Sequence, residues 1–231
     1  MVASRLASRP RFPLWLRFAL VPIVAATVLA GIWVTGGLLT NNFRLSMLLT
    51  ALWFAVAGLA TLVIAWRWRS LALPVLGTFM VTTVAAGGYL AYASMVDKVV
   101  NETVAVADAN ASVKEPGAKP SARPENLALA RGTFTSGEHE TMGKATVIRL
   151  AEGGTVLTLT EFETSPGPDL RVYLATGGPD DLGDVVDLGA LEGNKGNQQY
   201  ELPASVDVDR HRTVVIWCRA FSVAFGSAGL A

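Results

Sequence analysis

Acidic residues are missing from the first 96 positions of this 231-residue chain, a stretch that carries seven arginines and no lysine. One cysteine and two histidines serve the whole chain. A single cysteine excludes an intrachain disulfide framework. Charged residues make up only 16%, below the roughly 25% usual in soluble domains, which argues against a wholly soluble or disordered protein. No Gly-x-Ser-x-Gly elbow, phosphate loop or dinucleotide fingerprint occurs, so hydrolase and nucleotide chemistry have no support. The basic residues flank apolar runs and do not cluster with aromatics, which speaks against nucleic acid as a partner.

The formal charge is zero, yet it hides two unlike halves. The seven arginines of the first half stand against eight basic and fourteen acidic residues over 126–231. Three runs in the first half lack any charged residue: 18–40, 47–66 and 71–96. A bilayer core of about 30 Å needs about 20 helical residues, so each run predicts a transmembrane helix with the lipid bilayer as partner. Pro22 and Pro74 are expected in the first turns, where a missing N–H is tolerated. The first run exceeds the core of a signal peptide and reads as an uncleaved anchor. Arg5, Arg9, Arg11, Arg17, Arg67 and Arg69 fall on one side and only Arg44 and Lys98 on the other. The positive-inside rule then places the N-terminus in the cytoplasm and everything after Val96 outside it. The spans hold no histidine, which excludes paired histidine ligation of an intramembrane haem. Without charges in the spans, an anchor is favoured over a transport pathway.

Residues 97–125, without aromatics and with Pro116, Pro120 and Pro124 near their end, read as a flexible stalk. Residues 126–231 suffice for one small domain. Strands are expected at 143–150, 155–164, 170–175, 185–188, 198–202, 213–218 and 221–225, separated by Gly- and Pro-rich turns. No helical stripe of ten residues interrupts them. The fold class is therefore three transmembrane helices followed by an all-β extracytoplasmic domain, an antiparallel sandwich or barrel.

Few residues of this half suit chemistry. Cys218 shares a strand face with Val214 and Ile216, while Val215, Trp217 and Arg219 share the other. An unpaired cysteine is more often a small packed hydrophobe than a redox group or ligand. His139 lies between Glu138 and Glu140, carboxylates that would raise an imidazole pKa; Gly143 occupies the position where a zinc protease needs its second histidine. His211, between Arg210 and Arg212, reads as a surface residue. Asp180, Asp181, Asp184 and Asp187 lack calcium-loop spacing. No metal site is expected.

The order Gly132-Thr-Phe134, His139 to Gly143, Gly167-Pro-Asp-Leu-x-Val-Tyr-Leu174, Tyr200-x-Leu-Pro203, Val215-Ile-Trp-Cys218 and Phe221-x-Val-x-Phe-Gly226 resembles the DM-thirteen family, the electron-transfer domain of Skeletor-type proteins. The resemblance covers about 126–231 and none of the membrane half. It implies a β-rich module with Cys218 as redox centre, either as bare thiol or as ligand to a prosthetic group such as haem. His139 and Asp169 match recurrent positions, His139 as a second cofactor-binding residue. The function expected is a membrane-anchored electron-transfer module with a redox or protein partner outside the cytoplasm. A non-catalytic binding or adhesion module is the alternative.

Overall fold

A computed structural model of the chain describes residues 12–40, 43–107 and 125–231. It divides into two compact units, 1–91 and 92–231. The arginines at 5, 9 and 11, and residues 108–124 of the expected stalk, lie outside the described residues.

The first unit is helical. Helix α1 spans Leu14–Trp33 and runs into a π-helical turn, Val34–Leu38; α2 spans Phe43–Arg67 and α3 Arg69–Ala93. All three are long and apolar enough to cross a membrane. Apolar residues surround each helix instead of forming one stripe, as lipid requires on most sides. The helices begin earlier than the apolar runs, at Leu14 and Arg69, so Pro22 and Pro74 lie inside them and not in their first turns. The reason is that an arginine in the first turn of a span reaches headgroup water on its long stem, so the helix extends past the last apolar residue. In the π turn the Thr35 hydroxyl donates to the Gly31 carbonyl at 2.7 Å. It also meets the Thr50 hydroxyl of α2 at 3.1 Å, which satisfies both buried groups.

The second unit is a sandwich of two five-stranded sheets, and neither closes into a barrel. The strands are β1 (Val99–Asn101), β2 (Leu127–Thr133), β3 (Thr135–Ser136), β4 (Thr141–Arg149), β5 (Thr155–Thr164), β6 (Leu170–Ala175), β7 (Val185–Ala190), β8 (Lys195–Glu201), β9 (Thr213–Cys218) and β10 (Val223–Gly229). One sheet has the order β1-β8-β5-β4-β2, the other β3-β10-β9-β6-β7. The only parallel pair described is β1 with β8. At Phe134 the chain passes from β2 in one sheet to β3 in the other. That ring is buried and meets Phe162 edge-on, with centroids 5.1 Å apart. Leu157, Leu159 and Phe162 from one sheet and Val172, Leu174, Ile216 and Phe225 from the other fill the core.

Several boundaries differ from the sequence expectation: β4 runs Thr141–Arg149, β7 Val185–Ala190 and β8 Lys195–Glu201, and β2 was not expected. The last strand runs Val223–Gly229, not 221–225, because residues 219–222 form the turn and Ser222 adopts a positive φ of 49°. The start of the expected stalk is paired: Val99–Asn101 lines up with Lys195–Asn197. Its hold is polar, since Lys98 N–H donates to Asn194 Oδ1 at 2.6 Å and Asp97 pairs with Lys195 at 2.8 Å. Three residues are too few to show a hydrophobic period, so the sequence pattern does not mark this edge strand.

Candidate functional site

Strand β9 lies between β10 and β6, and its residues Val214, Val215, Ile216 and Cys218 are all fully buried. Both of its faces are therefore covered, which accounts for a run of apolar residues in place of a strict alternation. Cys218 closes the strand, opposite Leu170 of β6 and Val223 of β10. Beyond it the chain turns, Phe221 N–H donates to the Cys218 carbonyl at 3.4 Å, and the backbone N–H groups of Phe221, Asp169 and Ala220 favour the charged form of the thiol. The loop before β6 folds over the same point. Arg219 N–H donates to the Asp169 carbonyl at 2.9 Å, and Arg219 Nε donates to the Asp169 carboxylate at 2.7 Å. Gly167 is needed there, because a Cβ would stand 2.9 Å from Leu170 and 3.0 Å from the Phe225 ring. The Gly167-Pro-Asp-Leu and Ile216-Trp-Cys segments, distant in sequence, thus form one closure around the sulfur.

Burial pushes the Cys218 thiol up to about 11, outweighing the three N–H groups that favour the thiolate. At neutral pH the thiolate fraction is about 10⁻⁴, so the resident species is a neutral thiol. A haem does not fit this sulfur as a ligand. The atom is sealed from solvent and packed within a three-strand core. Two clefts of about 430 and 340 Å³ open beside Arg149 at the sandwich end, and Cys218 lines neither.

His139 sits in the turn between β3 and β4, its ring tilted over Phe225 with centroids 3.9 Å apart. Burial lowers its pKa and outweighs the raising effect of Glu138, contrary to the expectation from its flanking carboxylates. His211 is buried and not a surface residue: its Nδ1–H donates to the Asp207 carbonyl at 3.0 Å. The acidic turn is spent on ion pairs, Asp187 with Arg171 at 2.7 Å and Asp184 with Arg210. Among the described residues no three His, Cys, Asp or Glu side chains group as a metal site.

The outer face of the β6–β9 pair carries a feature that alternation alone half revealed. Tyr173 and Trp217 stack with centroids 6.4 Å apart and an interplanar angle of 21°. With Leu182 they cover a second small core of Ala175, Val215 and Ala224. Burial and Asp187 push the Tyr173 phenol up, while Arg219 and Arg171 oppose them. The strand pairing needed to bring the two rings together was not legible in the sequence.

Fold and site define a two-sheet β domain sealed around one neutral cysteine thiol, joined to a unit of three long apolar helices. Residues 133–230 match the family model described as electron transfer DM13, which is consistent with a DM13 domain after the N-terminal helical region. The match spans β3 to β10 and leaves β1 and nearly all of β2 outside it. No curated protein and no solved structure matches the chain.

Proposed function

We propose that the chain is a membrane-anchored electron-transfer module held outside the cytoplasm, with Cys218 as its redox group. The observation that carries this reading is the DM13 match, which includes the strands that enclose Cys218. Because the thiol is neutral, losing one electron also costs it its proton, and the partner is a one-electron carrier. The helices supply the anchor, and the arginine asymmetry supports an N-terminus in the cytoplasm. A redox titration of the full chain in lipid nanodiscs tests the centre. A one-electron transition present in wild type and absent in Cys218→Ala is expected; none in wild type removes the reading.

One observation favours the second reading, a binding module in which Cys218 only packs: the sulfur is fully buried and protonated. Under that reading the variant loses stability and no redox response. Sidedness is tested with Asp181→Cys, at an exposed loop position. A membrane-impermeant maleimide should label it in intact cells, while labelling only after lysis would reverse the orientation.

A further inference from the structure

A redox group with no exposed atom needs a path for its electrons. Trp217 precedes Cys218 on β9, and alternation turns the indole outward where the sulfur turns inward. The indole is partly exposed and stacked on Tyr173, also partly exposed, so the pair lies on the solvent face of the sheet one peptide bond from the residue whose sulfur lies on its buried face. Around it stand two mutually neutralising pairs: Arg171–Asp187 at 2.7 Å and Arg219–Asp169 at 2.7 Å. Their charges all act on the Tyr173 hydroxyl. The small core beneath holds both rings in place, so little reorganisation accompanies a change in their charge.

We infer that the Trp217–Tyr173 stack is the electron terminal of the domain, relaying single electrons between Cys218 and an outer-sphere one-electron acceptor docked on the outer face of the β6–β9 pair. The inference rests on the redox reading of Cys218. One electron passes from the Trp217 indole to the acceptor, leaving an indole radical cation that the Tyr173 ring shares by stacking. The Cys218 S–H bond then breaks: its electron refills the indole, and its proton goes to the Asp169 carboxylate. That side chain is 32% exposed and passes the proton to water. The acceptor is reduced by one electron, and the sulfur is left as a radical until the reverse transfer.

The test uses the full chain in nanodiscs and photogenerated tris(bipyridine)ruthenium(III) as the acceptor. Wild type minus Trp217→Phe should show an indole radical, and its decay should be faster in wild type than in Cys218→Ala. Trp217→Tyr, which keeps a redox-active ring, should restore the relay that Trp217→Phe loses, whereas a merely structural role would not follow oxidisability. The equilibrium potential of Cys218 should be unchanged in Trp217→Phe. Superimposable wild-type and Trp217→Phe traces, with a Cys218 transition still present, would overturn the relay alone. Absence of any Cys218 transition in wild type overturns the redox reading and the relay with it.

Discussion

Asp169 and Arg219 are joined twice, backbone to backbone at 2.9 Å and side chain to side chain at 2.7 Å. This double link ties the start of β6 to the turn after β9 and closes the chain over Cys218. Its two parts differ in value. The side-chain pair is partly exposed, and such pairs stabilise by about 0.2–1 kcal/mol.

Asp169→Ala should therefore lower stability by less than about 1 kcal/mol, because the backbone bond survives. Gly167→Ala should cost more, about 1–3 kcal/mol, because its Cβ enters the space of Leu170 and Phe225. Denaturant midpoints of the two variants compare the loop's backbone fit with its ion pair, and the reverse order would refute this account of the closure.

Cys218 also sets a pH dependence. Its folded pKa, about 11, stands above the 9.0 of a solvated thiol. The folded state thus holds its proton more tightly, and the associated stability is present below pH 9 and lost as pH rises toward 11. The loss should amount to about 2–3 kcal/mol. Tyrosines titrate in the same range, so the measurement is the difference between wild type and Cys218→Ala across pH 8–11. A difference that does not change with pH would show that the thiol is not desolvated.

Ile216 lies at the centre of β9 with no exposed surface. Ile216→Ala should destabilise the β domain by about 2–5 kcal/mol, through lost transfer energy and a cavity that β6 and β10 cannot fill. Thermal unfolding followed by near-ultraviolet circular dichroism reads the loss of packing. A loss below about 1 kcal/mol would mean the sandwich is looser than its burial indicates.

A fragment beginning at residue 126 lacks β1 and leaves the outer edge of β8 unpaired, whereas one beginning at 94 keeps it covered. Exposed edges recruit other strands, so the shorter fragment should self-associate and the longer stay monomeric in sedimentation. Equal monomeric behaviour would show that β1 is dispensable.

The apolar runs made the three helices legible, and Thr155–Thr164, Leu170–Ala175 and Thr213–Cys218 carry enough Val, Leu, Ile and Thr to mark β5, β6 and β9 at their observed bounds. β3 and β1 were not legible: two or three residues are too few to carry a period, and they become strands only because β10 and β8 offer them an edge. Cys218 could be picked out by sequence, but not its environment. Its high pKa comes from burial by Leu170 and Val223, which lie far away or across a turn, and His139 went astray for the same reason. Neighbouring carboxylates are visible in sequence; the Phe225 ring that desolvates the imidazole is not.

The polar seam along β8 continues past β1, and this changes what residues 108–124 connect. Ala105 N–H donates to Gln199 at 2.8 Å, and the Asn126 side-chain amide donates to the Val106 carbonyl at 3.2 Å. Chain leaving the domain at 107 and chain returning at 125 are thus fastened to the same body. Residues 108–124 therefore join two points of one body. Inserting residues there adds closure entropy, about 0.6 kcal/mol for each doubling of length, and adds nothing to reach.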